Sequence, residues 1–307
     1  MAWPTMPRRV TVVEVGPRDG LQNEAVAVGT PEKIAFVDAL SRAHLPVVEV
    51  SAFVSPKWVP QMADAAEVFA GIARYPGIRY AALVPNQRGL ARAVGAGVTE
   101  VAVFAAASET FSRRNLNQSI DDSLRTYAAV CREATAAGLR VRGYLSTCFG
   151  CPFEGHVPPS RVATLTSRLL DLGVEEVSIG DTIGVAHPGQ VAPLLEAIRA
   201  GHPDAPLALH FHDTRGTALA NVLTGLAEGV TTFDASAGGL GGCPFAPGAT
   251  GNLATEDLVY ALHGLGIDTG VDLEAVVAAS RGIEPHVGHP LPSRYYRAAT
   301  ARLPAPE

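Results

Sequence analysis

Short β-branched runs alternate with amphipathic stretches along almost the whole chain. The runs predict strands at residues 10–15, 47–53, 80–84, 100–105, 140–146, 175–180, 207–212 and 232–236. Apolar runs of this length, bounded by turn residues, mark strands buried on both faces. Between them apolar residues recur at helical spacing over 31–43, 120–137, 160–172, 188–200 and 218–228. Gly97, Gly138, Gly173 and Gly229 stand at helix ends, where glycine supplies a left-handed stop. Eight such units in succession predict an α/β fold, a (β/α)8 TIM barrel. The rival is a doubly wound sheet, which usually carries GxGxxG after its first strand. Here that turn reads Gly16-Pro17-Arg18-Asp19-Gly20. No linker divides the chain, so residues 1–270 are read as one catalytic barrel. Residues 271–307 are read as a short helical C-terminal extension or lid, helix-like to Arg281 and then rich in proline and arginine.

Composition narrows the function. At 307 residues, 47% hydrophobic and 18% charged, the chain has the make-up of a globular protein with a large core. A net charge of -6 without a Lys/Arg cluster argues against nucleic acid or an anionic membrane as partner. No apolar run approaches the roughly 18 residues of a membrane span. The first nine residues lack an apolar segment, so no signal or transit peptide is expected. Four cysteines, Cys131, Cys148, Cys151 and Cys243, make no disulfide framework in a chain this long, which points to a reducing cytoplasm. The two lysines, Lys33 and Lys57, lie in a polar helix start and a Pro-flanked loop. Neither suits Schiff-base chemistry, which needs a buried, activated lysine.

A TIM barrel carries its chemistry at the C-terminal ends of its strands. After the first strand, Arg18 and Asp19 stand between two glycines, a charged pair that a ligand can approach closely. Glu49 interrupts the apolar second strand; buried, it needs a cationic partner. Arg142 and Tyr144 share one face of the fifth strand. Cys148 and Cys151 form a CxxC without a second half-site, and packing is the favoured reading. Asp181 ends the sixth strand beside glycine, as a mouth acid or an Asx turn. The sharpest signal is His210-Phe211-His212, two imidazoles on one face at a strand end, able to share a cation. The segment from Gly238 to Asn252 is glycine-rich, holds Cys243, and reads as a loop that closes over the mouth. In a closed barrel the eighth strand lies between the seventh and the first. Asp19, His210, His212 and Asn252 then meet on one rim as two nitrogen and two oxygen ligands. Such a set suits Mg²⁺ or Mn²⁺ with positions open for substrate, with Zn²⁺ as the alternative.

These motifs resemble those of the hydroxymethylglutaryl-CoA lyase family. The residues that carry the resemblance are VEVGPRDGLQNE (13–24), SAFVSPKWVPQM (51–62), VRGY (141–144), GDTIGV (180–185), HFHDT (210–214) and GGLGGCPFAPGATGNLATEDLVY (238–260). The resemblance implies a Mg²⁺- or Mn²⁺-binding barrel with ligands Asp19, His210, His212 and, directly or through water, Asn252. It implies a catalytic arginine at Arg18, a loop cysteine at Cys243, supporting acids at Glu49 and Asp181, a tyrosine at Tyr144 and substrate contact at Arg18 and Gln22. The implied reaction cleaves (S)-3-hydroxy-3-methylglutaryl-CoA to acetyl-CoA and acetoacetate, a step of leucine degradation and ketone-body formation. An acyl-CoA thioester partner and a homodimer come with it. Arg215 stands where members of the family tend to carry tyrosine, which bears on the acyl group accepted.

The residue chemistry agrees with a retro-Claisen cleavage. That reaction needs a divalent cation to acidify a tertiary hydroxyl, and a base, here Asp181 or else His210. It also needs a donor to the thioester oxygen, Arg18, and an acid for the enolate carbon, for which the Cys243 thiol is suited. A lyase for a longer branched 3-hydroxyglutaryl-CoA and a metal-dependent aldolase of the same superfamily are the alternatives. The aldolase would have no need of a cysteine in a closing loop.

Overall fold

The computed structural model describes residues 6–242 and 251–301. Its eight strands are β1 (Thr11–Glu14), β2 (Val47–Ala52), β3 (Arg79–Leu83), β4 (Glu100–Ala106), β5 (Arg140–Ser146), β6 (Glu176–Asp181), β7 (Leu207–Phe211) and β8 (Thr232–Ala235). They pair in chain order, all parallel, and β8 closes on β1 through Thr11↔Thr232 to Glu14↔Ala235. Each strand lies within a residue or two of its predicted place. β7 ends one residue before His212, because His212 leaves the ladder for an antiparallel bridge with Asn252.

The helices predicted from periodicity are present as α1 (Thr30–Arg42), α5 (Ile120–Ala136), α6 (Pro159–Asp171), α7 (Pro188–Gly201) and α8 (Ala218–Ala227). The others are α2 (Ala65–Gly71), α3 (Gln87–Gly95), α4 (Glu109–Leu116), α9 (Thr255–Gly264), α10 (Leu273–Val287) and α11 (Arg294–Thr300). Periodicity missed α2, α3, α4, α9 and α11, because short helices hold too few repeats. At α3 and α4 the local signal is a cap: the side chains of Asn86 and Ser108 accept the backbone N–H groups of Gly89 and Phe111 at 3.0 and 3.1 Å. The four glycine stops all have positive φ, from 69° at Gly97 to 87° at Gly173.

Strand residues pointing outward pack against the helices in one large apolar core. The opposite faces fill the barrel with polar groups, among them Glu49, Arg142, Ser178 and Asp234, all buried. α10 packs on α1. The segment that follows α10 returns over the C-terminal rim of the barrel. There His289 Nε2 lies 2.7 Å from Glu24 Oε2, Ser293 N donates to Gly238 O at 3.0 Å and Arg294 Nη1 to Asp213 Oδ2 at 2.6 Å. The helical extension thus ties down the loops after β1, β7 and β8. No helix among the described residues is long and apolar enough to cross a membrane.

Candidate active site at the barrel mouth

The GPRDG segment forms a single π turn, Gly16–Gly20, at the end of β1. A π turn widens the helical backbone, and Asp19 N still reaches Val15 O at 2.7 Å. Its glycines are required by contact. A Cβ on Gly16 would lie 2.6 Å from Glu14 Oε1, and one on Gly20 would lie 2.9 Å from the Leu240 Cβ. The turn can therefore press against the start of the loop after β8, with Arg18 and Asp19 side by side at the mouth.

Arg18 is held from two sides. Its Nε donates to Glu49 Oε2 at 2.6 Å and its Nη1 to Asp19 Oδ1 at 2.7 Å. The guanidinium also lies over the Tyr144 ring, 5.4 Å from its centroid. Burial works to lower the Arg18 pKa, but Glu49 and Asp19 outweigh it and hold the charge. Nη2 has no partner among the described residues and is the donor left for a ligand. Glu49 is fully buried: burial pushes its carboxyl up, and the Arg18 charge opposes that push. Tyr144 accepts from Arg142 Nη1 at 3.0 Å, and burial holds its hydroxyl well above the ordinary range.

Asp19, His210 and His212 bring one ligand atom each to within 4.8 Å of one another. Burial works to raise the Asp19 carboxyl, but Arg18 and the two histidines keep it below its ordinary value. Burial and the neighbouring His210 push His212 down to about 4, so it is neutral and ready to bind a cation. Burial also disfavours the charged form of His210, yet Asp234 Oδ2, 3.2 Å from its Nδ1, raises its pKa overall. Asn252 reaches the rim because residues 251–253 run antiparallel beside 211–213, with Leu253 N on Phe211 O at 2.9 Å. Its Nδ2 donates to Asp19 Oδ2 at 2.9 Å and to Leu240 O at 3.0 Å.

Two buried atoms here, His212 Nδ1 and Asn252 Oδ1, have no hydrogen-bond partner among the described residues. Buried polar groups are seldom left so, and a cation would complete both side chains. A carboxylate, two imidazoles and an amide oxygen are also a donor set that Mg²⁺, Mn²⁺ or Zn²⁺ accepts. The residues fit a divalent cation.

Arg18, Asp19, Gln22, Tyr144, His210 and His212 line one cavity of about 520 Å³ that opens at the strand C-termini. Asp181 does not line it; Gly180 and Thr182 do. The Asp181 carboxylate accepts Val185 N at 2.9 Å and Ala186 N at 3.1 Å, and burial raises its pKa to about 6. Cys243 and residues up to 250 lie outside the described residues; Gly242 lines the cavity and accepts from Asn23 Nδ2 at 3.0 Å. Arg215 donates to Ile183 O and Gly184 O at 3.1 and 2.7 Å, bracing the loop after β6, and does not line the cavity. Arg113 pairs with Glu109 on the surface, whereas Arg114 lines the cavity over the Phe153 ring. Cys131, Cys148 and Cys151 are free, buried thiols. Sequence reasoning missed Asp234 and Glu14. Both carry the cue that exposed Glu49, a carboxylate inside an apolar strand.

The pattern of the HMGL-like family matches residues 9–283. The chain belongs to that family. Hydroxymethylglutaryl-CoA lyase YngG of Bacillus subtilis (strain 168) is 53% identical to it over 288 residues, 94% of this chain and 96% of that protein. The crystal structure of hydroxymethylglutaryl-CoA lyase from Pseudomonas aeruginosa superposes with a TM-score of 0.93 at 53% identity, over 96% of this chain and 98% of that one. An HMG-CoA lyase of Acinetobacter baumannii, solved with coenzyme A and 3-methylmalate, matches with a TM-score of 0.91 at 39% identity, over 97% and 98%.

Proposed function

We propose that this HMGL-like protein is a hydroxymethylglutaryl-CoA lyase, cleaving (S)-3-hydroxy-3-methylglutaryl-CoA to acetyl-CoA and acetoacetate. One observation carries the reading: a buried, charged arginine and an Asp-His-His cluster share one cavity. Near-full-length identity to lyases and a structural neighbour solved with coenzyme A support it.

Asp19, His210, His212 and Asn252 would hold a divalent cation, Mg²⁺ or Mn²⁺. When bound, such an ion acidifies a hydroxyl and screens an adjacent carboxylate. The protein's own groups then divide the work. Asp181 stands behind Gly180 and Thr182 of the cavity wall and takes the hydroxyl proton through one water; its pKa, raised to about 6 by burial, makes it a stronger base than an ordinary carboxylate. The bond between the carbinol carbon and the thioester methylene breaks, and its electron pair moves onto the thioester as an enolate. Arg18 donates to that oxygen, and Glu49 and the Tyr144 ring keep the guanidinium in place. Cys243, next to Gly242 of the cavity wall, protonates the methylene carbon to the methyl of acetyl-CoA. Gln22 contacts the acyl group, and Trp58 and Arg114 at the outer wall suit the nucleotide end of the thioester.

A homodimer and a cytoplasmic setting complete the proposal. Free buried thiols suit a reducing compartment, and light scattering tests the dimer. The deciding experiment is acetoacetate release by metal-stripped protein, before and after adding Mg²⁺ or Mn²⁺. Turnover that returns with metal, and is lost in Cys243→Ala, supports the scheme. Folded protein that is inactive with both metals refutes it.

A further inference from the structure

Asp234 of β8 is buried, and three side chains make four contacts with its carboxylate. Arg142 reaches across from β5 with Nη2 on Oδ1 at 2.7 Å and Nη1 on Oδ2 at 3.2 Å. Ser178 of β6 donates to Oδ2 at 2.8 Å, and His210 Nδ1 of β7 lies 3.2 Å from the same oxygen. His210 and Asp234 are direct register partners on neighbouring strands. Charge balance inside the barrel argues against a purely structural role. Arg142 already has a carboxylate partner in Glu176, 2.8 Å from its Nε. Asp234 is therefore a second anion beside one cation, and its remaining neighbour is His210. A buried anion of this kind is costly unless another positive charge lies on that side.

We propose that Asp234 is the positioning residue of the cation site. It accepts the Nδ1 hydrogen of His210 and so fixes the ring and its tautomer, leaving Nε2 for the cation. Arg142 and Ser178 hold the carboxylate still. A histidine ligand whose second nitrogen donates to a carboxylate is oriented and made a better donor, and loss of such a partner weakens metal affinity by roughly 10- to 100-fold. The inference rests on the cation reading of the preceding subsection.

Mn²⁺ affinity of the full chain, read by electron paramagnetic resonance, tests it. Asp234→Asn is expected to bind Mn²⁺ roughly 10- to 100-fold more weakly. Glu176→Gln, which touches Arg142 but not His210, is expected to bind as the wild type does. In a His210→Ala background, Asp234→Asn should cost nothing further, because Asp234 acts through that ring. Wild-type protein that binds no Mn²⁺ overturns the cation reading and this inference with it. Wild type that binds, with Asp234→Asn binding equally or with costs that add in the double variant, overturns this inference alone. Should Asp234→Asn fail to fold, nitrogen-15 histidine spectra of the Mg²⁺-loaded wild type decide. They should show His210 protonated at Nδ1, and a proton at Nε2 instead refutes the proposal.

Discussion

Arg18 is asked to do two things, and its structural and chemical roles can be separated. Arg18→Met keeps an unbranched side chain and removes the charge. It leaves Glu49 fully buried with its ion pair gone. Breaking a buried pair from one side typically costs about 3–5 kcal/mol, because the remaining charge is uncompensated. Asp19 also loses a partner, but its side chain is 19% exposed and keeps its Asn252 hydrogen bond, so its share is small. Adding Glu49→Gln removes the stranded charge. The double variant is expected to recover all but about 1–2 kcal/mol, since neutral replacement of a buried pair is often tolerated. Activity should not recover. Loss of a donor to a developing oxyanion lowers kcat by roughly 10²–10³-fold, and no group in the double variant replaces it. Denaturant unfolding of the metal-free proteins gives the stabilities, and acetoacetate release gives the rates. A double variant as unstable as Arg18→Met refutes the burial argument. A double variant with restored turnover refutes the role of Arg18 at the thioester oxygen.

Three further outcomes are expected. With Asp181 as base and a pKa of about 6, turnover should fall as pH drops through 6 and level off above it; Asp181→Asn should be slow and lack that limb, and an unchanged limb in a pH–rate profile would reject the assignment. Burial holds the Glu256 carboxyl at about 8 in the folded chain against an ordinary 4.5. The folded state then keeps a proton that the unfolded state releases, so stability declines from about pH 4.5 to about pH 8; Glu256→Gln should flatten that decline, read as urea midpoints at pH 5 and pH 8. At Gly225 of α8 an added Cβ would lie 2.5 Å from Leu209 Cδ1 and 3.3 Å from the Phe233 ring. Overpacking of about 1–3 kcal/mol should exceed the helix gain of about 1 kcal/mol, making Gly225→Ala less stable than wild type, and a raised melting temperature would contradict this.

Much of the fold was legible because its signals are local. Strand runs such as 140–146 are dictated by burial on both faces, and the positive φ at Gly138 or Gly173 is a property of single residues. Motif chemistry was legible for the same reason: His210 and His212 share a face by strand periodicity alone, and Glu49 betrayed a partner by interrupting an apolar strand. The short helices were less so, since α2 and α4 hold too few turns to show a period, and α10 ran past Arg281 to Val287 despite Pro285.

What the chain order could not determine is which distant groups share space. Arg142 and Asp234 stand 92 residues apart, and only closure of β8 onto β1 brings them across one barrel interior. Asn252 was placed on the rim by topology, but its seat beside His212 is made by an antiparallel backbone bridge that no spacing announces. The pKa values of Asp181 and Glu256 arise from burial among residues of several elements, and burial is a property of the packed whole. Sequence by itself determined the residue types, the periodicities and the chemistry they can perform. The tertiary structure decided their partners, because contacts between elements depend on closure of the sheet and not on local conformational preference.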